Sequence, residues 1–287
     1  MTKLLSFVRL ARPKHYVKNV LVFVPLVYSQ NMASADMLLS ALVCFAAFCL
    51  LASGIYAVND IADCEKDRAH PINKTRPIAA GKISKRAASS FATICIALSF
   101  SLFLLFGGGV VLLFGGLYLV LNLAYTFKLK HFPIIDCFCI AAGFLLRIYA
   151  GGAAIGEGVS EWLFLTITAG SLFMAFGKRR GEMLHLSRGG EQTARKVLAG
   201  YDMGFLNGIM FACSGVAVVF YALWAMTSTP LMIYTVPLFI FIICKYLLNV
   251  HNEKSFGDPV SVIFSDKVLV GAVALLGILS ILFLYKG

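Results

Sequence analysis

The residues best suited to chemistry are three aspartates near the end of a long apolar run. Asp60, Asp63 and Asp67 follow each other at spacings of three and four residues, so they share one face if a helix continues through them. Carboxylates on one face repel each other unless a cation lies over them. Mg²⁺ takes one or two carboxylates together with waters and substrate phosphate oxygens. The spacing therefore favours a magnesium site for a diphosphate over the alternative, an acidic helix end exposed to solvent.

Basic residues follow the aspartates directly. Arg68, Lys74 and Arg76 lead into the stretch 77–82, so cations lie beside the carboxylates, as a phosphate-binding site requires. The ordinary enrichment of positive charge in cytoplasmic loops would produce the same pattern. Next to the aspartates, the basic residues favour a phosphorylated ligand.

Polar residues also mark the ends of two later apolar runs. Tyr125 and Lys128 close one run, and Asp136 opens the next, where it either favours a helix N-terminus or binds a ligand. Arg147 lies on nearly the same helix face as Asp136, about 16 Å further along. An arginine at that depth in a membrane seldom faces lipid. We therefore expect Arg147 to face the interior of a helix bundle, either as a ligand contact or in an ion pair.

Three consecutive cations, Lys178, Arg179 and Arg180, end another apolar run and are followed by Glu182. Contact with lipid headgroups and binding of a substrate phosphate both explain cations at such a place. The stretch 187–192 that follows is of low complexity. It predicts a mobile connector, which would suit a lid.

The elements that position these residues are predicted to be membrane-spanning helices. Of the 287 residues, 60% are hydrophobic and 14% are charged, more apolar surface than a soluble core uses. A spanning helix needs about 20 apolar residues. The suitable runs fall at 17–35, 37–59, 87–106, 109–127, 133–153, 161–177, 204–227, 230–250 and 268–285. The sequence thus predicts an all-α polytopic membrane protein, a bundle of about nine transmembrane helices.

The distribution of lysine and arginine predicts the orientation. With nine spans, 22 of the 25 basic residues fall on the side of the N-terminus, which the positive-inside rule places in the cytoplasm. We therefore expect an inner-membrane protein whose N-terminus and active site face the cytoplasm. The net charge of +11 does not indicate nucleic-acid binding, because long apolar stretches separate the basic residues.

The stretch from Asn59-Asp60 to Asp67 resembles the first motif, Asn-Asp-x-x-Asp-x-x-x-Asp, of the UbiA superfamily of membrane prenyltransferases. Superfamily members that act on aromatic acceptors carry a second aspartate-rich motif after the sixth span, where this chain has Lys178-Arg179-Arg180-Gly181-Glu182. That departure resembles the decaprenyl-phosphate 5-phosphoribosyltransferase branch. Further similarities are Arg12-Pro13 with Val17-Lys18-Asn19, Arg76 through Gly81, Asp136 with Arg147, and Gly177-Lys178-Arg179 with Glu182.

The resemblance covers almost the whole chain and implies a single UbiA-like transmembrane domain, residues 1–287, around a cytoplasm-facing central cavity. It implies Mg²⁺ as cofactor, held by the catalytic residues Asp60, Asp63 and Asp67. It also implies phosphoribosyl diphosphate as donor and a polyprenyl phosphate as acceptor, with a second basic site for the donor's 5-phosphate. The candidate substrate-binding residues are then Asn59, Arg76, Lys18, Tyr125, Lys128, Asp136, Arg147, Lys178, Arg179 and Glu182.

Two other functions remain open at this point. The first is a prenyltransferase that moves an isoprenyl chain from its diphosphate to an aromatic acceptor, and the missing second aspartate motif counts against it. The second is a transporter in which Asp136 and Arg147 are coupling groups. The concentration of polar residues at predicted cytoplasmic helix ends counts against a transporter, which would also leave the diphosphate intact.

Overall fold

Helices make up the regular structure of this chain. The computed structural model describes residues 3–69, 73–187, 196–252 and 259–286, and these contain no strand. The α-helices are α1 Lys3–Ala11, α2 Val24–Tyr28, α3 Ala35–Ala62, α4 Cys64–Ala69, α5 Lys85–Leu102, α6 Gly108–Phe127, α7 Ile135–Ile155, α8 Glu161–Ser187, α9 Met203–Ser228, α10 Val236–His251, α11 Pro259–Phe264 and α12 Lys267–Lys286. Shorter segments are the 3₁₀ helices Pro13–Phe23, Asn73–Thr75, Leu129–His131, Lys196–Gly200 and Pro230–Thr235 and the π-helical turn Phe103–Gly107.

Six helical segments within the described residues are long and apolar enough to cross a membrane. They are Ala35–Ala62, Lys85–Phe127, Ile135–Ile155, Met203–Ser228, Pro230–His251 and Lys267–Lys286. Together with the helical secondary structure, these segments confirm an all-α polytopic membrane protein. The number of nine spans stays a prediction.

Two of the nine predicted spans, 17–35 and 161–177, are not among the six segments. The first is divided between the 3₁₀ helix Pro13–Phe23 and the short α2, where Pro25 lacks the backbone N–H that a continuous helix would need. The second lies in α8, which begins with the charged Glu161. Thr166 also lies in this part of α8, and its hydroxyl donates to the Trp162 carbonyl at 2.7 Å. These polar residues lower the mean hydropathy of the segment.

The apolar segment Lys85–Phe127 turns back on itself. It has 43 residues, about twice the length of one span. Gly108 interrupts it with a φ of +69°, a left-handed value that glycine adopts without steric cost. A Cβ at Gly115 would lie 2.5 Å from the Phe103 ring, whereas twelve residues of continuous helix would separate the two by about 18 Å. The segment is therefore two helices, as the separate runs 87–106 and 109–127 predict.

The chain forms two compact units. The first contains the chain up to Phe132 together with Leu146–Gly158. In its apolar core, the buried Phe48 ring lies edge-on to Phe103 at 5.2 Å and to Tyr118 at 5.4 Å between ring centroids. Helix α3 packs along α5 in this unit.

The second unit contains Pro133–Leu145 and most of the chain from Val159 onward. Its core includes the buried Phe173 and Leu206, and the Phe173 ring contacts Tyr246 at 5.1 Å between centroids. Helix α8 packs along α9. The expected single domain stays a prediction.

Replacing Gly115 with alanine should lower the free energy of unfolding by about 1–3 kcal/mol, because the new Cβ would overpack the buried Phe103 ring. Gly116→Ala is the matched control, since nothing lies within 4 Å of a Cβ there. Thermal unfolding of both variants in one detergent measures the difference. Equal transition temperatures would contradict the packing of Phe103 against Gly115.

Candidate active site

The three aspartates lie across a junction between two helices. Helix α3 ends at Ala62, Asp63 caps it, and α4 begins at Cys64. The hydrogen-bond register continues, because the Asp63 N–H donates to the Asn59 carbonyl at 2.9 Å and the Asp67 N–H donates to the Asp63 carbonyl at 2.8 Å. The helical hydrogen bonds therefore continue through the junction, although the Asp63 side chain points in a different direction from those of Asp60 and Asp67.

Arg76 joins two of the three carboxylates. Its Nη1 atom lies 2.7 Å from Asp67 Oδ2 and 3.3 Å from Asp60 Oδ1. Arg12 Nη2 also reaches Asp60 Oδ1, at 2.5 Å. The side chains of Asp60 and Asp67 are only 2% and 6% exposed, so these ion pairs hold negative charge that water barely reaches.

Asp63 points to a different partner. Both of its carboxylate oxygens lie 2.8 Å from Lys130 Nζ, and Lys130 belongs to the 3₁₀ helix Leu129–His131. Within the described residues, no three acidic, histidine or cysteine side chains converge as a metal-binding group. The shared face expected from the spacing assumes an unbroken helix, and the backbone at Asp63 leaves the helical conformation at φ −93° and ψ 5°.

Asp60 and Asp67 nevertheless fit a divalent cation. Asp60 Oδ2 is buried and accepts no hydrogen bond from any described residue. Asp60 Oδ1 and Asp67 Oδ2 already share one positively charged group, the Arg76 guanidinium. Because Mg²⁺ commonly uses one or two carboxylates and completes its shell with water and phosphate oxygens, these two carboxylates would suffice to hold it.

A compact turn presents Arg76 to the aspartates. The Ala80 N–H donates to the Arg76 carbonyl at 2.8 Å, and the Lys82 N–H donates to the Pro77 carbonyl at 2.9 Å. Gly81 closes the turn with a φ of +70°, where a side chain would be strained. The predicted motif from Arg76 to Gly81 therefore fixes the backbone from which the Arg76 side chain reaches the aspartates.

Arg12 has an unusual backbone for a long side chain. Its φ is +55° and Pro13 follows directly, and left-handed conformations outside glycine are uncommon and concentrate at functional sites. The guanidinium lies 5.0 Å from the centroid of the Tyr56 ring. Burial lowers the pKa of Arg12, and the neighbouring Asp60 opposes that shift. The sequence indicates Arg12 only as part of a motif, whereas the structure shows that its guanidinium pairs with the Asp60 carboxylate.

Arg147 belongs to a buried polar cluster in the first unit. Its Nε donates to Asn19 Oδ1 at 2.7 Å, its Nη2 donates to the Tyr118 hydroxyl at 2.5 Å, and its guanidinium lies 4.6 Å from the Tyr118 ring centroid. Asn19 in turn donates to Cys49 Sγ at 3.3 Å. Arg147 is 5% exposed, so it faces protein. Tyr118 lies inside an uncharged apolar run, and nothing in its spacing marks it as a partner of Arg147.

The second unit contains a buried ion pair between Asp136 and Arg179. Arg179 Nε lies 2.6 Å from Asp136 Oδ2, and neither side chain is accessible to solvent. Arg179 also pairs with Glu182 one turn further along α8. The Tyr201 hydroxyl donates to Asp136 Oδ1 at 2.7 Å. One guanidinium thus balances two carboxylates, of which Asp136 is inaccessible to water and Glu182 is 20% exposed.

Tyr201 also fixes the start of α7. Its hydroxyl accepts a hydrogen bond from the Ile134 N–H at 2.6 Å, and Ile134 has a φ of +68°, which is rare for a β-branched residue. A Cβ at Gly200 would lie 2.4 Å from the Pro133 ring. Burial and the bond to Asp136 raise the pKa of Tyr201, so the phenol stays protonated and donates. No spacing or motif in the sequence indicates this role of Tyr201.

Residues 20–264 match the model of the UbiA prenyltransferase family. The chain belongs to this family. It is 38% identical over 275 residues to the decaprenyl-phosphate phosphoribosyltransferase of Corynebacterium glutamicum, a match that covers 92% of this chain and 82% of that protein. It is 32% identical over 271 residues to the enzyme of the same name from Mycobacterium tuberculosis, covering 91% and 88%.

Solved structures share the fold of this UbiA-family protein. A UbiA homolog from Archaeoglobus fulgidus bound to GPP and Mg²⁺ superimposes with a TM-score of 0.73 at 18% identity, covering 98% of both chains. The structure of a digeranylgeranylglyceryl phosphate synthase superimposes with a TM-score of 0.69 at 22% identity, covering all of both chains. The protein is a membrane transferase of the UbiA family.

The other predicted site residues of this UbiA-family protein differ in exposure. Lys18, Tyr125 and Lys178 are half-buried. Lys128 is exposed, whereas Lys130, two residues later, is buried and pairs with Asp63. The predicted contacts of these residues with substrate stay predictions.

The three consecutive cations after Gly177 have different surroundings. Arg179 is in the buried ion pair, and Arg180 donates to Asn207 Oδ1 at 2.7 Å and to a carbonyl of α10 at 3.1 Å. Lys178 is therefore the most accessible of the three. The predicted mobile connector 187–192 lies outside the described residues from position 188 onward.

Arg179→Gln should lower the free energy of unfolding by about 3–5 kcal/mol, because it leaves Asp136 buried without a cation. The double variant Asp136→Asn/Arg179→Gln should recover part of that loss, since the uncompensated charge is removed. Lys267→Gln, which removes an exposed cation, is the control. Thermal unfolding measures the stability of each variant. Equal transition temperatures for Arg179→Gln and Lys267→Gln would contradict the ion pair.

Proposed function

We propose that this protein transfers the 5-phosphoribosyl group from phosphoribosyl diphosphate to a polyprenyl phosphate and releases diphosphate. The observation that carries the proposal is the pair of buried carboxylates, Asp60 and Asp67, that share the Arg76 guanidinium beside Arg12. Such a cluster combines two ligands for Mg²⁺ with two cations for phosphate oxygens. The relatives named decaprenyl-phosphate phosphoribosyltransferase, similar over about nine-tenths of this chain, support the choice of donor and acceptor.

In the proposed reaction, an oxygen of the lipid phosphate bonds to the anomeric carbon of ribose while the bond from that carbon to diphosphate breaks. Asp60 and Asp67 would hold Mg²⁺, which, when bound, neutralises charge on the leaving diphosphate. Arg76 and Arg12 would bind phosphate oxygens, for which guanidinium groups are well shaped. The lipid phosphate is already ionised and needs no strong general base, so holding both substrates in line supplies much of the rate.

The donor also carries a separate 5-phosphate, which needs its own cation. Lys178 is our first candidate because it is the most accessible of the three consecutive cations. For Arg179, which is inaccessible and paired with Asp136 and Glu182, we propose a positioning role. Asp136 and Glu182, which the sequence also predicts as substrate-binding residues, pair with Arg179, and we propose that they position it. The remaining substrate contacts that we propose involve Asn59, Lys18, Tyr125, Lys128 and Arg147.

We place the reaction at the cytoplasmic face of the inner membrane. The support is the asymmetry of basic residues along the sequence, since positive charge is retained on the cytoplasmic side. Phosphoribosyl diphosphate is a soluble substrate, so an active site on this face would receive it directly from the cytoplasm.

A second candidate function is transfer of a prenyl group from a prenyl diphosphate to an aromatic acceptor. The observation that favours it is the shared fold with a UbiA homolog bound to GPP and Mg²⁺. The basic stretch 178–180 counts against it, because the first motif would then lack a second acidic partner. We propose no transport function for a chain that belongs to a transferase family.

Purified protein in detergent, incubated with Mg²⁺, ribose-labelled phosphoribosyl diphosphate and a polyprenyl phosphate, should move label into the lipid phase. Chelating the metal should abolish that transfer. Geranyl diphosphate with an aromatic acid is tested in parallel. Product from this second pair, with none from the first, would replace our proposal with the aromatic prenyltransferase.

Asp60→Asn should lower metal-dependent turnover on the order of 100-fold or more, because a neutral amide neither holds the metal nor balances Arg12 and Arg76. Glu65→Gln is the matched control. Glu65 lies in the same acidic stretch but is 68% exposed and pairs with Arg68 and Lys85. The assay is initial rate at saturating Mg²⁺, and full activity of Asp60→Asn would remove Asp60 from the site.

A further inference from the structure

Arg76 lies between Asp60 and Asp67, the two carboxylates that we propose as metal ligands. A single atom, Nη1, contacts one oxygen of each carboxylate, at 3.3 Å and 2.7 Å. A metal ion held by both aspartates would need the same two oxygens or their partners on the same carboxylates. In either case the metal would lie beside the Arg76 guanidinium, so the two cations would repel each other and compete for the negative charge of the same two carboxylates.

The charges of this cluster balance without any metal. Three aspartates, at positions 60, 63 and 67, face three cations, Arg12, Arg76 and Lys130. A free divalent cation that entered this neutral cluster would add two positive charges next to two guanidinium groups. Mg²⁺ also gives up its water shell reluctantly, so both effects oppose binding of the metal alone.

Arg76 is also the most exposed member of the cluster. Its side chain is 27% exposed, against 2% for Asp60 and 6% for Asp67. The Arg76 backbone is fixed by its turn, so a change of position requires rotation of its side chain only. Arg12 meanwhile keeps one oxygen of Asp60 paired.

We propose that Arg76 is a placeholder cation, which leaves the two aspartates only when a diphosphate arrives, so that metal and diphosphate bind together. The inference rests on the proposed function in one respect, that a diphosphate is the ligand, and applies to any diphosphate donor. An arriving diphosphate gives Arg76 new anionic partners and brings negative charge that balances the metal. By linkage, diphosphate then strengthens metal binding by the same factor by which metal strengthens diphosphate binding.

This arrangement would have a catalytic benefit. Until a diphosphate arrives, Arg12 and Arg76 neutralise the buried carboxylates. The Arg76 guanidinium then moves from the aspartates to the phosphate oxygens as the metal binds. Arg76 would thus first balance the charge of the aspartates and then bind the leaving group.

The wild-type protein tests the proposal directly. Full-length protein in detergent is titrated with Mn²⁺, and free Mn²⁺ is followed by electron paramagnetic resonance, with and without inorganic diphosphate. A protein-free titration corrects for complexes of Mn²⁺ and diphosphate in solution. We expect metal binding to tighten about tenfold or more in the presence of diphosphate. Equal affinity under both conditions would overturn the proposal.

Arg76→Gln gives the second test. Without diphosphate, this variant should bind Mn²⁺ about tenfold or more tightly than the wild type, and the strengthening by diphosphate should shrink by a similar factor. A purely structural ion pair would not produce an increase in metal affinity. Lys85→Gln removes one positive charge nearby, from an exposed pair with Glu65, and should behave like the wild type.

The outcomes separate the inference from the proposed function. Suppose that Mn²⁺ and inorganic diphosphate bind in a coupled way but no group is transferred from phosphoribosyl diphosphate. The placeholder role of Arg76 would then stand, and phosphoribosyl diphosphate would be rejected as the donor. Transfer from phosphoribosyl diphosphate, together with unchanged Mn²⁺ affinity in Arg76→Gln, would retain the donor and reject the placeholder. If Arg76→Gln does not fold, equal Mn²⁺ affinity of the wild type with and without diphosphate still overturns the placeholder.

Discussion

The pairing of buried carboxylates with guanidinium groups is the interaction on which the rest of this protein depends. Apolar helices exclude water, so a lone buried charge would cost several kcal/mol. In the first unit Asp60 is balanced by Arg12, 48 residues away, and by Arg76. In the second unit Asp136 is balanced by Arg179. Each pair connects distant parts of the sequence, so charge balance and helix positions are determined together.

Short turns between helices set the positions of these charges. Gly81 closes the turn that presents Arg76, and Arg12 lies in a left-handed conformation beside Pro13. Ile134 is also left-handed and is held by the Tyr201 hydroxyl. Such conformations are costly outside glycine and persist only where the surroundings enforce them. Of the three such residues in the described part of the chain, Arg12 pairs with Asp60 and Ile134 lies two positions before Asp136, whereas Gln30 is the third.

Membership of the UbiA family places this chain on a scaffold that proteins of different names share. The fold is shared at 18% identity with a homolog bound to GPP and Mg²⁺, while relatives with a phosphoribosyltransferase name are 32–38% identical to this chain. A diphosphate is common to both kinds of donor, and the proposed use of Asp60 and Asp67 requires nothing else of it. The proposed distinction between donors therefore falls on the cations at 178–180, outside the shared acidic motif.

The sequence by itself determined the all-helical membrane class and the chemical character of the site. In lipid the backbone N–H and C=O groups of a long apolar run must bond to each other, and a helix achieves this within one segment. The spacing of the aspartates can be read from neighbouring residues alone. Only the tertiary structure decided that α3 ends just before Asp63, that Lys130 and not Lys128 pairs with Asp63, and that Arg179 is buried against Asp136. These contacts depend on where segments far apart in the chain meet and on the direction of each side chain, which no local spacing encodes.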